Sequence, residues 1–189
     1  MSDLINVAPI KISKLEAARR QLVTAIRLYF ANGDVVSTHT LAAAAFEILR
    51  DLDAHGPKTG TLFDHMERNI KPEYVETFRK LIRKPGNFFK HANKDPERVL
   101  EYYPSNPIAI LWAASEKYNE LANEDLLETM ALRSWVILQN PDILLPPYRE
   151  QVKGLNPGRD YPSARRQEFF DKIATVHARA ERARIGAKS

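Results

Sequence analysis

The sequence predicts an all-α fold: a single-domain helical bundle of about seven helices, with a proline-rich excursion before the last. Three observations predict it. Apolar residues recur at i, i+3, i+4 and i+7 through most of the chain, the period of a helix with one buried face. Glycine is scarce, 7 of 189 residues, which argues against a fold rich in strands and tight turns. The 12 prolines fall mostly between the periodic segments, where they punctuate helices. The length suits one domain, residues 1–189, with 1–11 and 185–189 expected to fray. A domain of this size buries roughly 70% of its unfolded surface and needs no covalent staple.

Ser13 and Glu16 have the spacing of a capping box, and Leu15, Ala18, Leu22, Ala25, Ile26 and Tyr29 then share a helical face. Asn32-Gly33-Asp34 supplies a turn that tolerates left-handed backbone. A second helix is expected from Ser37 or Thr38 through Leu52, with Ala42 to Ala45 as a narrow face open to close approach. The short connection makes the first two helices an antiparallel hairpin. Leu62, Phe63, Met66 and Ile70 suggest a short third helix. Pro72 starts a fourth, with Val75, Phe78, Leu81 and Ile82 inward. Pro85-Gly86 is expected to break it, and Asn87 to cap a new short helix holding Phe88 to His91. After a connection over 93–105, Asn106-Pro107 begins a helix with Leu111, Trp112 and Tyr118. Asn123 is expected to cap the next, which carries Leu126, Leu132 and Trp135. Residues 141–162 form the proline-rich excursion. Ser163 caps a last helix with Phe169, Phe170, Ile173 and Val176 inward, fraying after His177.

Composition excludes several chemistries. With no cysteine there are no disulfides, thiolate metal sites or cysteine nucleophiles, which fits a reducing, cytoplasmic setting. No signal peptide is visible, and no window approaches 18 uninterrupted apolar residues, so no membrane span is expected. The five histidines lack the Glu-x-x-His and His-Glu-x-x-His spacings of common metal sites. No glycine-rich phosphate loop and no Gly-x-Ser-x-Gly elbow occurs, so neither metal nor cofactor is expected. His55 and Asp51, one turn apart, read as a surface ion pair, and His39 as a structural capping or hydrogen-bonding group.

The charge is distributed in blocks. Residues 68–94 carry 8 basic and 2 acidic groups, and 163–189 carry 7 and 3. Between them, residues 95–162 carry 6 basic and 11 acidic groups. Such blocks suit either solvated faces that complement one another, within or between protomers, or an anion site for phosphate or RNA.

The sharpest local candidate is Arg83-Lys84-Pro85-Gly86-Asn87-Phe88-Phe89-Lys90-His91. If a helix starts at Asn87, its free backbone donors and positive dipole end form an anion site. That field would keep His91 a neutral base. Arg83 would hold a phosphate with two parallel hydrogen bonds, Lys84 and Lys90 would add charge, and Phe88 or Phe89 would stack on a base. The competing reading makes Phe88 and Phe89 core, His91 a local hydrogen-bonding group and the cations solvated.

The hairpin segment Ser37 to Leu49, with Asn87-Phe88-Phe89-Lys90-His91-Ala92, resembles the HEPN superfamily of helical nucleotide-binding domains over residues 12–140. Active members of that family carry an arginine, four to six residues, then a histidine. They work as dimers and cleave RNA without a metal. Here seven residues separate Arg83 from His91, and a Pro-Gly turn would absorb the excess. Arg50 to His55 fits the spacing formally, at the end of the second helix. The resemblance implies an RNA- or nucleotide-binding protein, and a ribonuclease if His91 acts as acid or base. Arg83 and Lys90 would then stabilise phosphate charge while Asn87 orients. The alternatives are a non-catalytic interaction or scaffold protein acting as a homodimer, and a small-molecule binder with a pocket lined by Trp112, Tyr118 and Trp135.

Overall fold

The computed structural model describes residues 8–56, 71–93, 95–139 and 165–186. Six helices are present among them: α1 Lys14–Phe30, α2 Val35–His55, α3 Pro72–Phe88, α4 Pro107–Ala122, α5 Leu127–Gln139 and α6 Arg166–Gly186. The fold is all-α, and no strand occurs among the described residues. The helix expected over 62–70, the proline-rich excursion over 141–162 and the Ser163 cap lie outside them.

α1 forms as its sequence dictates. Ser13 Oγ accepts the Glu16 N–H at 3.1 Å, and Ala18, Leu22, Ala25, Ile26, Tyr29 and Phe30 are buried. Only half of the capping box closes, because the Glu16 carboxylate turns to Arg20 at 2.7 Å instead. Asn32 takes the left-handed conformation, with φ 53°. α2 begins at Val35, ahead of the expected Ser37 or Thr38. Asp34 is the cap, its Oδ1 accepting the Ser37 N–H at 2.7 Å. A carboxylate serves there as well as a hydroxyl and is favoured by the helix dipole.

α4 is the central helix and packs against α1, α2, α3 and α5. One apolar cluster draws on all six helices, including Leu22 of α1, Leu49 of α2, Ile82 of α3, Leu111 of α4, Leu132 of α5 and Phe169 of α6. Trp112, Tyr118 and Trp135 are buried in it; Trp135 also lines an open cavity beside Tyr103 and Ile108, which neither Trp112 nor Tyr118 borders. Asn123 does not start a helix. It ends α4 in the left-handed conformation, φ 49°, its N–H bonded to the Asn119 carbonyl. Asparagine serves at either kind of helix end. Glu124 and Asp125 reach back to Tyr118 and Asn119, at 2.8 Å each, instead of opening the next helix. α6 stays helical through Gly186, past the expected fraying point, with Glu181 and Arg184 paired a turn apart. Val176, expected inward, is exposed. No helix among the described residues is long and apolar enough to cross a membrane.

The largest departure from expectation is α3, which continues through Pro85-Gly86 to Phe88. A proline inside a helix lacks one N–H and crowds the preceding turn. Here the bond it lacks is the one to the Leu81 carbonyl, and the end of the helix is held by its packing on α2. Pro85 is buried, and its carbonyl accepts the Phe89 N–H at 3.0 Å. Gly86 lies against α2, where an added Cβ would meet Ala43 Cβ at 3.7 Å and His39 Nε2 at 3.8 Å. The narrow alanine face of α2 thus receives α3.

Candidate functional site

The continuation of α3 changes the geometry around His91. The backbone N–H groups of Lys90 and His91 both reach the Asn87 carbonyl, at 3.3 and 3.2 Å. These residues therefore finish a helix rather than begin one. A helix C-terminus presents carbonyls and the negative dipole end. The anion site expected from a helix start at Asn87 is absent, and with it the field argument for a neutral His91.

The continuous helix instead aligns side chains. Lys84, Asn87 and Phe88 share one side of the end of α3, and His91, just past the helix end, joins them. They line a single open cleft of about 510 Å³, whose opposite wall is Asp95, Arg98 and Leu100. Lys84, Asn87 and His91 are exposed, and Phe88 is half-buried at the floor. The cation on the same wall of the cleft as His91 is thus Lys84. The Arg83 side chain lies outside the described residues.

Lys90 is turned away from this cleft and pairs with Glu47 of α2 at 3.2 Å. Phe89 also faces inward, edge-on to the rings of His39 and Tyr102, 5.6 and 5.1 Å between centroids. Of the two phenylalanines, Phe88 is the one that meets the cleft. Arg98, which carried no sequence signal beyond an acidic residue three positions earlier, joins the site from the connecting segment. Its Nη1 donates to Asp95 Oδ2 at 2.9 Å.

The connecting segment is held by His39. Its ring is fully buried, and Nδ1 lies 2.7 Å from the Tyr102 hydroxyl. Nε2 has no hydrogen-bond partner among the described residues. Burial, and to a lesser extent the charge of Lys90, push the His39 pKa down to about 4, so the ring is neutral at physiological pH. Burial likewise pushes the Tyr102 hydroxyl well above the usual phenol range. His39 is structural, as expected from sequence, but its partner is a tyrosine 63 residues away rather than a helix end.

The other candidate pattern, Arg50 to His55, assembles nothing. Arg50 pairs with Asp51 at 2.9 Å, and His55 Nδ1 contacts the Asp51 backbone carbonyl at 2.7 Å, not its carboxylate. Among the described residues no three His, Asp or Glu side chains gather as metal ligands. Comparison of the chain with protein-family models, with curated proteins and with solved structures gives no match.

Proposed function

We propose that the cleft between the end of α3 and the 95–100 segment binds the phosphate backbone of RNA or a nucleotide, in a cytoplasmic, homodimeric protein. One observation supports this reading above the others. Lys84, Asn87 and His91 converge on one open cleft without a side-chain partner among the described residues, opposite Arg98. A phosphate there meets a lysine and an arginine, and a base can lie on Phe88.

The site also suits HEPN-like, metal-independent cleavage. His91 accepts the proton of a ribose 2′-hydroxyl as that oxygen attacks the adjacent phosphorus. The bond from phosphorus to the 5′-oxygen breaks, leaving a 2′,3′-cyclic phosphate, and solvent protonates the departing 5′-oxygen. Lys84 and Arg98 offset charge on the phosphoryl oxygens, and Asn87 orients the group.

The test is incubation of the protein with a mixed RNA pool in EDTA, beside His91→Ala of matched circular dichroism. Cleavage by the wild type alone supports the ribonuclease. If neither cleaves, the salt dependence of RNA binding decides. Affinity that falls steeply with salt, with a smaller slope for Lys84→Ala, supports binding without catalysis. Absence of both cleavage and binding overturns the proposal in favour of a non-catalytic homodimeric interaction protein.

A further inference from the structure

Arg166 opens α6 and is nine-tenths buried, with 9% of its surface exposed. Its guanidinium lies over the ring of Tyr29, 4.2 Å from the centroid. Nε donates to Asn32 Oδ1 at 2.9 Å, and Nη2 donates to the same oxygen. Asn32 is fixed by its left-handed backbone in the α1–α2 turn. A neutral amide oxygen and an aromatic face are therefore the groups that hold this charge. No carboxylate pairs with it among the described residues. The other buried charges follow a different rule: Lys117 has two carboxylates, and Glu128 has Arg27. A buried guanidinium without a counter-charge is costly, and the cost is relieved when an anion arrives.

Space for that anion adjoins the side chain. Two cavities meet at Arg166 and Tyr29, of about 340 and 470 Å³. The first is bounded by Asn32 and Thr38, the second by Tyr103, Ser105 and Ile108. Both volumes are of the size that takes a small molecule.

We propose that Arg166 anchors an oxyanion site for a small molecule, separate from the cleft at Lys84 and His91. A phosphate or carboxylate takes the guanidinium donors that Asn32 leaves free, and Ser105 adds a hydroxyl. The rest of the ligand lies along Tyr103 and Ile108.

The experiment is calorimetric titration of the full chain with inorganic phosphate and with benzoate, at fixed ionic strength with chloride as control. The wild type is compared with Asn32→Asp and Arg166→Gln. Asn32→Asp keeps the shape, tolerates the positive φ and places a carboxylate against the guanidinium. Saturable binding of one anion per chain is expected, weakened about tenfold or more in Asn32→Asp. The melting temperature of unliganded Asn32→Asp should rise. Arg166→Gln should lose binding, and if it fails to fold, Asn32→Asp carries the test alone. Preference for phosphate assigns a phosphorylated ligand, and preference for benzoate a carboxylate. The proposal is overturned if neither anion binds the wild type saturably. Retained affinity or a lower melting temperature in Asn32→Asp would overturn it too.

Discussion

Along α1, α2, α4 and α5 the buried charges meet opposite charges, whereas at the end of α3 Lys84, Asn87 and His91 have no side-chain partner among the described residues. In the first region Leu22, Ile26, Leu49, Leu111 and Leu132 are fully enclosed. Charges that enter it are paired: Lys117 lies 3.1 Å from Asp53 and 2.9 Å from Glu120, and Glu128 lies 2.6 Å from Arg27. On α3, Val75, Ile82 and Pro85 are buried, and Lys84 and Asn87, with His91 just past the helix end, face an open cleft. A polar group already bonded within the fold has little left to give a ligand. The charges buried in the first region are thus spent on one another, and the exposed groups at the end of α3 are left for a ligand. His39, at the seam between the two regions, is an exception: buried like the first, short of a partner like the second.

The comparison makes its largest prediction at Lys117, a fully buried lysine of α4. Lys117→Met preserves length and removes the ammonium from between the Asp53 and Glu120 carboxylates. Breaking a buried ionic set in this way costs about 3–5 kcal/mol. The same change at exposed Lys80 of α3 should stay within about 0.5 kcal/mol. Urea unfolding followed by circular dichroism measures both. Equal, small losses would show that the interior does not depend on matched charge.

At the seam the prediction concerns pH. The folded His39 pKa of about 4 lies below the 6.5 of an unburied ring. Between those values the unfolded chain binds a proton that the folded chain refuses, so stability rises with pH. The contribution is complete above about pH 6.5 and is lost on acidification towards pH 4, in total about 3 kcal/mol. His39→Gln should flatten that part of the stability profile. A wild-type profile level from pH 6.5 to 4 would mean that the ring is not buried neutral.

How far each region was legible follows from what specifies it. The α1 stripe from Leu15 to Tyr29, the Asn32 turn and the alanine face of α2 could be read because periodicity and turn chemistry are local. The end of α3 could not. Pro85-Gly86 has the local chemistry of a break, and the helix persists because α2 offers Ala43 and His39 as a surface for it to pack on. That contact spans more than forty residues of sequence and leaves no trace in spacing. From it follow the alignment of Lys84 with His91, the turning away of Lys90 to Glu47, and the reversed helix end at Asn87. Arg98 and Tyr102 were missed for the same reason, since the connection that bears them is positioned by Tyr102 on His39 rather than by any pattern of its own.

The smallest predicted effect probes that contact directly. Gly86 lies within the helical run of α3, where glycine is less favourable than alanine by roughly 0.5–1 kcal/mol. An added Cβ would reach Ala43 Cβ at 3.7 Å and His39 Nε2 at 3.8 Å, ordinary contact distances that require no neighbour to move. Gly86→Ala should therefore stabilise the protein by roughly 0.5–1 kcal/mol, read as a shift in the urea midpoint at unchanged slope. The gain should persist in His39→Gln if it comes from the backbone of α3. If Gly86→Ala destabilises instead, the seam between α2 and α3 is closed as tightly as the core. Packing of α3 on α2, rather than helix propensity, would then fix the line of residues from Lys84 to His91.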